Sequence, residues 1–137
     1  MIELIYGKKG SGKTKRIIAS ANEAVRSTKD GCVVFIDDNS RYMYDLDRNI
    51  RFVATENYGL HDAESLYHFI CGGTAVNYGI EYLYIDGLKK IVNTDLASLE
   101  GFFSKLNTLS DQNGFRVVMT ISAEPEEMPD FLKAYIR

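Results

Sequence analysis

A chain of 137 residues has room for one domain, and 45% hydrophobic with 26% charged residues is the balance of an ordinary folded protein. A net charge of -3 excludes a global electrostatic case for nucleic acid, although Lys8, Lys9, Lys13, Lys15 and Arg16 crowd one short stretch. No apolar run approaches a membrane span, and Glu3 and Lys8 interrupt any leader-like start, so a cytoplasmic setting is expected.

Ile2 to Tyr6 reads as a strand, and it runs into Gly7-Lys8-Lys9-Gly10-Ser11-Gly12-Lys13-Thr14. Ile17, Ile18, Ala21 and Val25 then share one stripe of a helix that ends by Asp30-Gly31. Strand, glycine loop and helix form the context in which GxxxxGK[ST] is a P-loop, or Walker A motif. Gly7, Gly10 and Gly12 let the backbone approach a phosphate, and the amides from Gly10 to Thr14 form an anion nest at a helix start. Lys13 is the point charge for the β- and γ-phosphates of ATP, and the Thr14 hydroxyl is a ligand for Mg²⁺. Lys8, Lys9 and Lys15 add loop charge around the same nucleotide.

Cys32 to Ile36 is a continuous apolar run, the pattern of a buried parallel strand, and it ends in Asp37-Asp38. Asn39 to Asn49 is polar and tyrosine-rich, a short helix and loop. Ile50 to Thr55 is a further strand, followed by the loop Glu56 to Gly59. His61 to Asn77 is helical, with Leu66, Phe69, Ile70 and Val76 for a core face and a breaker signal at Gly72-Gly73. Ile80 to Ile85 is a strand closing on Asp86-Gly87. Asn93 or Thr94 caps the next helix, which carries Leu96, Leu99, Phe102, Phe103, Leu106 and Leu109 and stops at Asn113-Gly114. Phe115 to Ile121 is the fifth strand, with Thr120 and Ser122 at its tip. Pro125 and Pro129 punctuate a loop before a short helix from Asp130. Cys32 and Cys71 lie in apolar runs without CxxC spacing and read as reduced core residues.

Strands alternating with helices from end to end predict an α/β fold, three layers with a mostly parallel sheet of about five strands. Tyr82-Leu83-Tyr84-Ile85-Asp86 has the Walker B form, an apolar strand whose terminal carboxylate binds Mg²⁺. Thr120 becomes a γ-phosphate contact if its strand lies beside that of the P-loop.

The order of P-loop, strand ending in Asp37-Asp38, strand ending in Thr55, Walker B at Asp86 and polar-tipped strand at Thr120-Ser122 resembles the core of RecA-like and AAA-type P-loop ATPases. The resemblance implies Mg²⁺-dependent ATP binding, with the Thr120 strand between the P-loop strand and the Asp86 strand. It also implies a catalytic glutamate directly after the Walker B aspartate, where this chain has Gly87. Glu56 and Glu124 follow other strands and are the candidate substitutes. Arg41, Arg51, Arg116 and Arg137 are arginine-finger candidates if a homo-oligomer or protein partner supplies one. The expectation is an ATP-binding ATPase or ATP-controlled switch with weak intrinsic hydrolysis.

Two alternatives compete. Asp37-Asp38 lies where P-loop kinases of nucleosides or small molecules hold the acceptor, and Asp38-Asn39-Ser40-Arg41-Tyr42 is similar, one residue out of register, to the Asp-x-Arg-Tyr stretch of thymidine kinases. The glutamate and cysteine zinc site of those enzymes are missing. Lys8 coincides with the signature lysine of the deviant Walker A partition ATPases, and Val33 to Asp37 resembles their second strand. A pilus-retraction ATPase shares only the loop.

Overall fold

The structure is a computed structural model and describes residues 1–136. Five strands, β1 (Ile2–Gly7), β2 (Cys32–Asp37), β3 (Arg51–Ala54), β4 (Ile80–Ile85) and β5 (Arg116–Ser122), form a sheet in the order β1-β5-β4-β2-β3, and every pairing is parallel. Four α-helices lie against it: α1 (Lys13–Ser27), α2 (Ala63–Val76), α3 (Leu88–Val92) and α4 (Glu100–Asn113). Short 3₁₀ turns occupy Met43–Asp45, Thr55–Asn57, Leu96–Leu99, Pro125–Glu127 and Asp130–Tyr135. No helix is long and apolar enough to cross a membrane.

Side chains alternate across a strand, so each strand feeds two cores. Val33 and Phe35 of β2, Tyr84 of β4 and Val118 of β5 pack with Ile17, Ala21 and Ala24 of α1. Ile36, Leu83, Ile85, Val117 and Met119 point the other way, into the larger core closed by Leu66 and Ile70 of α2, Ile91 of α3, and Phe103 and Leu106 of α4. Helices thus cover both faces of the sheet, and the three-layer α/β architecture read from the alternation of elements is the one observed. β5 lies between β1 and β4, as the resemblance implied.

The helix ends follow local chemistry. Asp62 caps α2: its carboxylate accepts from the Ser65 N–H at 2.7 Å and the Ser65 hydroxyl accepts from the Asp62 N–H at 3.4 Å. These bonds to the charged form hold the Asp62 carboxyl below its ordinary range. Gly114, at φ +73°, ends α4 in the left-handed region, in keeping with the Asn113-Gly114 stop signal.

Four expectations change. Gly72-Gly73 does not break α2, because Ile70 and Thr74 on either side are buried and tertiary packing outweighs a cost of about 1 kcal/mol per glycine. Val76 is 85% exposed instead of facing the core; it lies two residues past Thr74, off the stripe of Leu66, Ile70 and Thr74. Neither Asn93 nor Thr94 caps a helix start, since Asn93, at φ 49°, ends the short helix α3, in a stretch that sequence alone reads as a connection. Cys32 and Cys71 are free thiols, but half-buried and not core.

Candidate functional site

Parallel strands bring their carboxyl ends to one edge, and the alternation decides what faces α1 there. Counting by twos, Val33 and Phe35 lead to Asp37, Tyr84 leads to Asp86, and Val118 leads to Thr120. All three polar residues are buried, at the point where the P-loop hands over to α1. They line a cleft of about 420 Å³ with Lys9, Lys13 and Thr14 from the loop side.

The loop is shaped by glycine. Gly10 and Gly12 have φ of +82° and +84°, in the left-handed region that costs other residues about 1–2 kcal/mol. A Cβ on Gly7 would stand 2.8 Å from the Ser11 Oγ, so a side chain there would have to turn the serine hydroxyl aside. Lys13 opens α1 and is 7% exposed. Its ammonium lies back across the loop, donating to the Lys8 carbonyl at 2.8 Å and the Ser11 Oγ at 3.3 Å. Burial lowers its pKa, the Asp86 charge raises it, and the Lys90 charge lowers it again.

Asp86 is the hub. It follows β4 directly, and its N–H donates to the Ile36 carbonyl of β2 at 2.9 Å. Oδ2 accepts from the Thr14 hydroxyl at 3.0 Å and Oδ1 from the Thr120 hydroxyl at 2.5 Å. Thr120 Oγ1 in turn accepts from the Gly87 N–H at 2.8 Å. The Walker A threonine, the Walker B aspartate and the β5 tip therefore form one connected network. Thr120 bonds Asp86 and lines the cleft.

Asp37 joins the site; the sequence reads it as a strand-end acid and, in the kinase alternative, as part of the acceptor position. It is 5% exposed and lines the cleft. Oδ1 accepts from the Asp38 N–H at 2.8 Å, while Oδ2 has no partner. Burial, Asp38 and the Asp86 charge push its carboxyl up to about 8. The signal that could have found it is the same strand-end pattern that singles out Asp86. Lys90, from the first turns of α3, also lines the cleft and was not foreseen.

The other expected residues are spread more widely. Lys15 is exposed on α1. Lys8 points along the loop to Glu124, with Nζ 3.7 Å from Oε2. Glu124 lies beside the P-loop after β5, outside the cleft lining; Glu127 caps its N–H at 2.9 Å. Glu56 is exposed in the turn after the edge strand β3, and its N–H donates to the Asp38 carbonyl at 3.2 Å. Of the arginines, Arg41 lines the cleft, Arg51 is on β3, and Arg116 begins β5 at the far end of the sheet. Arg137 lies outside the described residues.

The residues present fit a magnesium nucleotide. The described residues contain no cluster of three metal-binding side chains. Mg²⁺ bound with phosphates needs only one or two protein oxygens, the rest being phosphate and water. Thr14 and Asp86, 3.0 Å apart, would supply those oxygens, and the glycine loop with buried Lys13 has the form of a phosphate cradle.

No protein-family model matches this chain, and no curated protein does. Among solved structures it is similar to the flagellar accessory protein FlaH from Methanocaldococcus jannaschii, with a TM-score of 0.57 at 12% identity. The match covers 97% of this chain and 65% of that one, so the chain spans less than two thirds of its neighbour. A likeness at this identity establishes the fold alone, a five-stranded parallel α/β sheet with helices on both faces.

Proposed function

We propose that this protein binds ATP with Mg²⁺ in the cleft at the heads of β1, β5 and β4, and acts as a slow ATPase or an ATP-controlled switch. The observation that carries the reading is the 3.0 Å contact between Thr14 and Asp86, which joins the two halves of a Mg²⁺-nucleotide site across 72 residues of sequence. When bound, Mg²⁺-ATP supplies a terminal phosphoryl group made electrophilic by the metal.

The chain's own groups bind, orient and exclude. The loop amides and the α1 start hold the phosphates. Lys13 exchanges its Lys8 and Ser11 oxygens for phosphate oxygens, which as charged acceptors are the stronger partners. Thr14 and Asp86 hold the metal, and Thr120 fixes the Asp86 carboxylate by binding its other oxygen. Asp37, which lines the cleft and has one buried oxygen unpartnered, orients the water that attacks. Directly after Asp86, where the resemblance implies a glutamate, Gly87 offers no carboxylate, and turnover by the isolated chain is therefore slower than ~1 per second.

Asp86→Asn tests this reading. The variant should lose most of the gain in ATP affinity that Mg²⁺ brings, and change little in the absence of metal. Undiminished Mg²⁺ dependence would leave Asp86 as a strand-end residue and end the proposal. A kinase reading has one supporting observation: Asp38, Asn39, Arg41 and Tyr42 line the same cleft, where a phosphoryl acceptor would enter. ADP formation that accelerates with a hydroxyl-bearing acceptor and yields no free phosphate would favour it.

A further inference from the structure

We propose that Lys90 contacts the terminal phosphate of the nucleotide from within the same chain, so that the cleft distinguishes a nucleoside triphosphate from a diphosphate. The inference rests on the nucleotide-binding reading above and adds a recognition residue to it.

The turn after Asp86 is built to deliver this side chain. Gly87 has φ +73°, where a side chain is strained, and α3 starts directly after it. The Lys90 N–H donates to the Gly87 carbonyl at 3.0 Å, and the Lys90 Cδ lies 3.6 Å from where a Gly87 Cβ would be. The lysine stem therefore lies over Gly87, next to the metal-binding carboxylate. Its neighbour Lys89 points elsewhere, to Glu127 at 3.3 Å. Among the described residues Lys90 has no ion-pair partner, while it lines the cleft that Lys13 lines.

Two ammonium groups facing one cleft repel, and Lys13 and Lys90 line the same cleft. A polyanion between them removes that repulsion and turns both into donors. Asp37, Asp38 and Asp86 line the same space, so an anion without a metal meets three carboxyl groups there, whereas a phosphate carrying Mg²⁺ does not. With the inner phosphates in the glycine loop, the part of the cleft lined by Asp86, Gly87 and Lys90 would receive the terminal one. A diphosphate stops short of it. Arg41 also lines the cleft, but its guanidinium lies over the Tyr42 ring at 5.7 Å.

Calorimetric titration of Mg²⁺-ATP and Mg²⁺-ADP into the wild type, Lys90→Ala, Lys90→Arg and Lys89→Ala tests the assignment. One charge-assisted hydrogen bond predicts about a tenfold loss of ATP affinity in Lys90→Ala, with ADP affinity unchanged. Lys90→Arg should recover most of that loss, and Lys89→Ala should bind both nucleotides like the wild type. Equal weakening of ATP and ADP in Lys90→Ala, or no weakening of either, overturns the inference. A wild type that binds neither nucleotide ends the nucleotide reading itself, so the two failures are distinguishable.

Discussion

Replacing Asp37 by asparagine should stabilise the free protein at alkaline pH and flatten its stability profile. The native carboxyl is raised from 3.8 to about 8, first by burial and then by Asp38 and Asp86. Between those values the folded state keeps a proton that the unfolded chain has released. The stability tied to this group is therefore complete below the unfolded value, declines as pH rises, and is gone above the folded one. Each unit is worth about 1.36 kcal/mol, which sets a ceiling near ~6 kcal/mol for the full shift. Water in the open cleft and the cations on its wall bring this to about 2–3 kcal/mol at an effective dielectric of ~20. The asparagine side chain carries no charge at any pH and occupies the same volume. Urea unfolding of nucleotide-free, metal-free protein at pH 5 and pH 8.5 should show the advantage of the Asp37→Asn variant over the wild type growing with pH. At the higher pH the variant should be more stable by about 2–3 kcal/mol. Parallel pH profiles for the two proteins, or a variant less stable at pH 8.5, would refute the reasoning.

Three further outcomes follow from the packing. Thr120→Val removes the donor to Asp86 and the acceptor of the Gly87 N–H, and should cost about 1–3 kcal/mol in urea unfolding; an unchanged midpoint would mean that the network adds nothing. Leu106→Ala empties a fully buried position of α4 and should cost about 2–5 kcal/mol by the same measurement, with a cost under about 1 kcal/mol contradicting the assigned core. Gly114→Ala forces a Cβ into φ +73° and should lower stability by about 1–2 kcal/mol without affecting nucleotide binding, whereas a stabilised variant would show that the turn relaxes.

The layers and most of the site were legible because both rest on short-range signals. A strand buried on two faces is a continuous apolar run, as in Cys32 to Ile36, and glycines at fixed spacing before Lys13-Thr14 encode a phosphate loop locally. What was illegible depends on which strands become neighbours. Asp37 was visible as a strand-end acid, but its raised pKa comes first from burial under the packed sheet, with Asp38 and the Asp86 charge adding to it. Lys90 reaches the cleft through the left-handed turn at Gly87 and the five-residue helix α3, shorter than the periodicity needed to recognise a helix. The buried trio Leu88, Ile91 and Val92, at spacings of three and four, was the signal that could have found α3. Val76 shows the opposite error, an apolar residue counted toward a face it does not occupy.

The claim on which the account turns is that the cleft binds a magnesium nucleotide through Lys13. Calorimetric titration of Mg²⁺-ATP into wild-type protein and Lys13→Ala, with melting temperatures recorded for both, tests it most directly. The account predicts saturable binding to the wild type and an affinity at least about tenfold lower for the variant at similar stability, since a charge-assisted phosphate contact is lost. Equal affinity in two equally folded proteins, or no binding to the wild type, would contradict it.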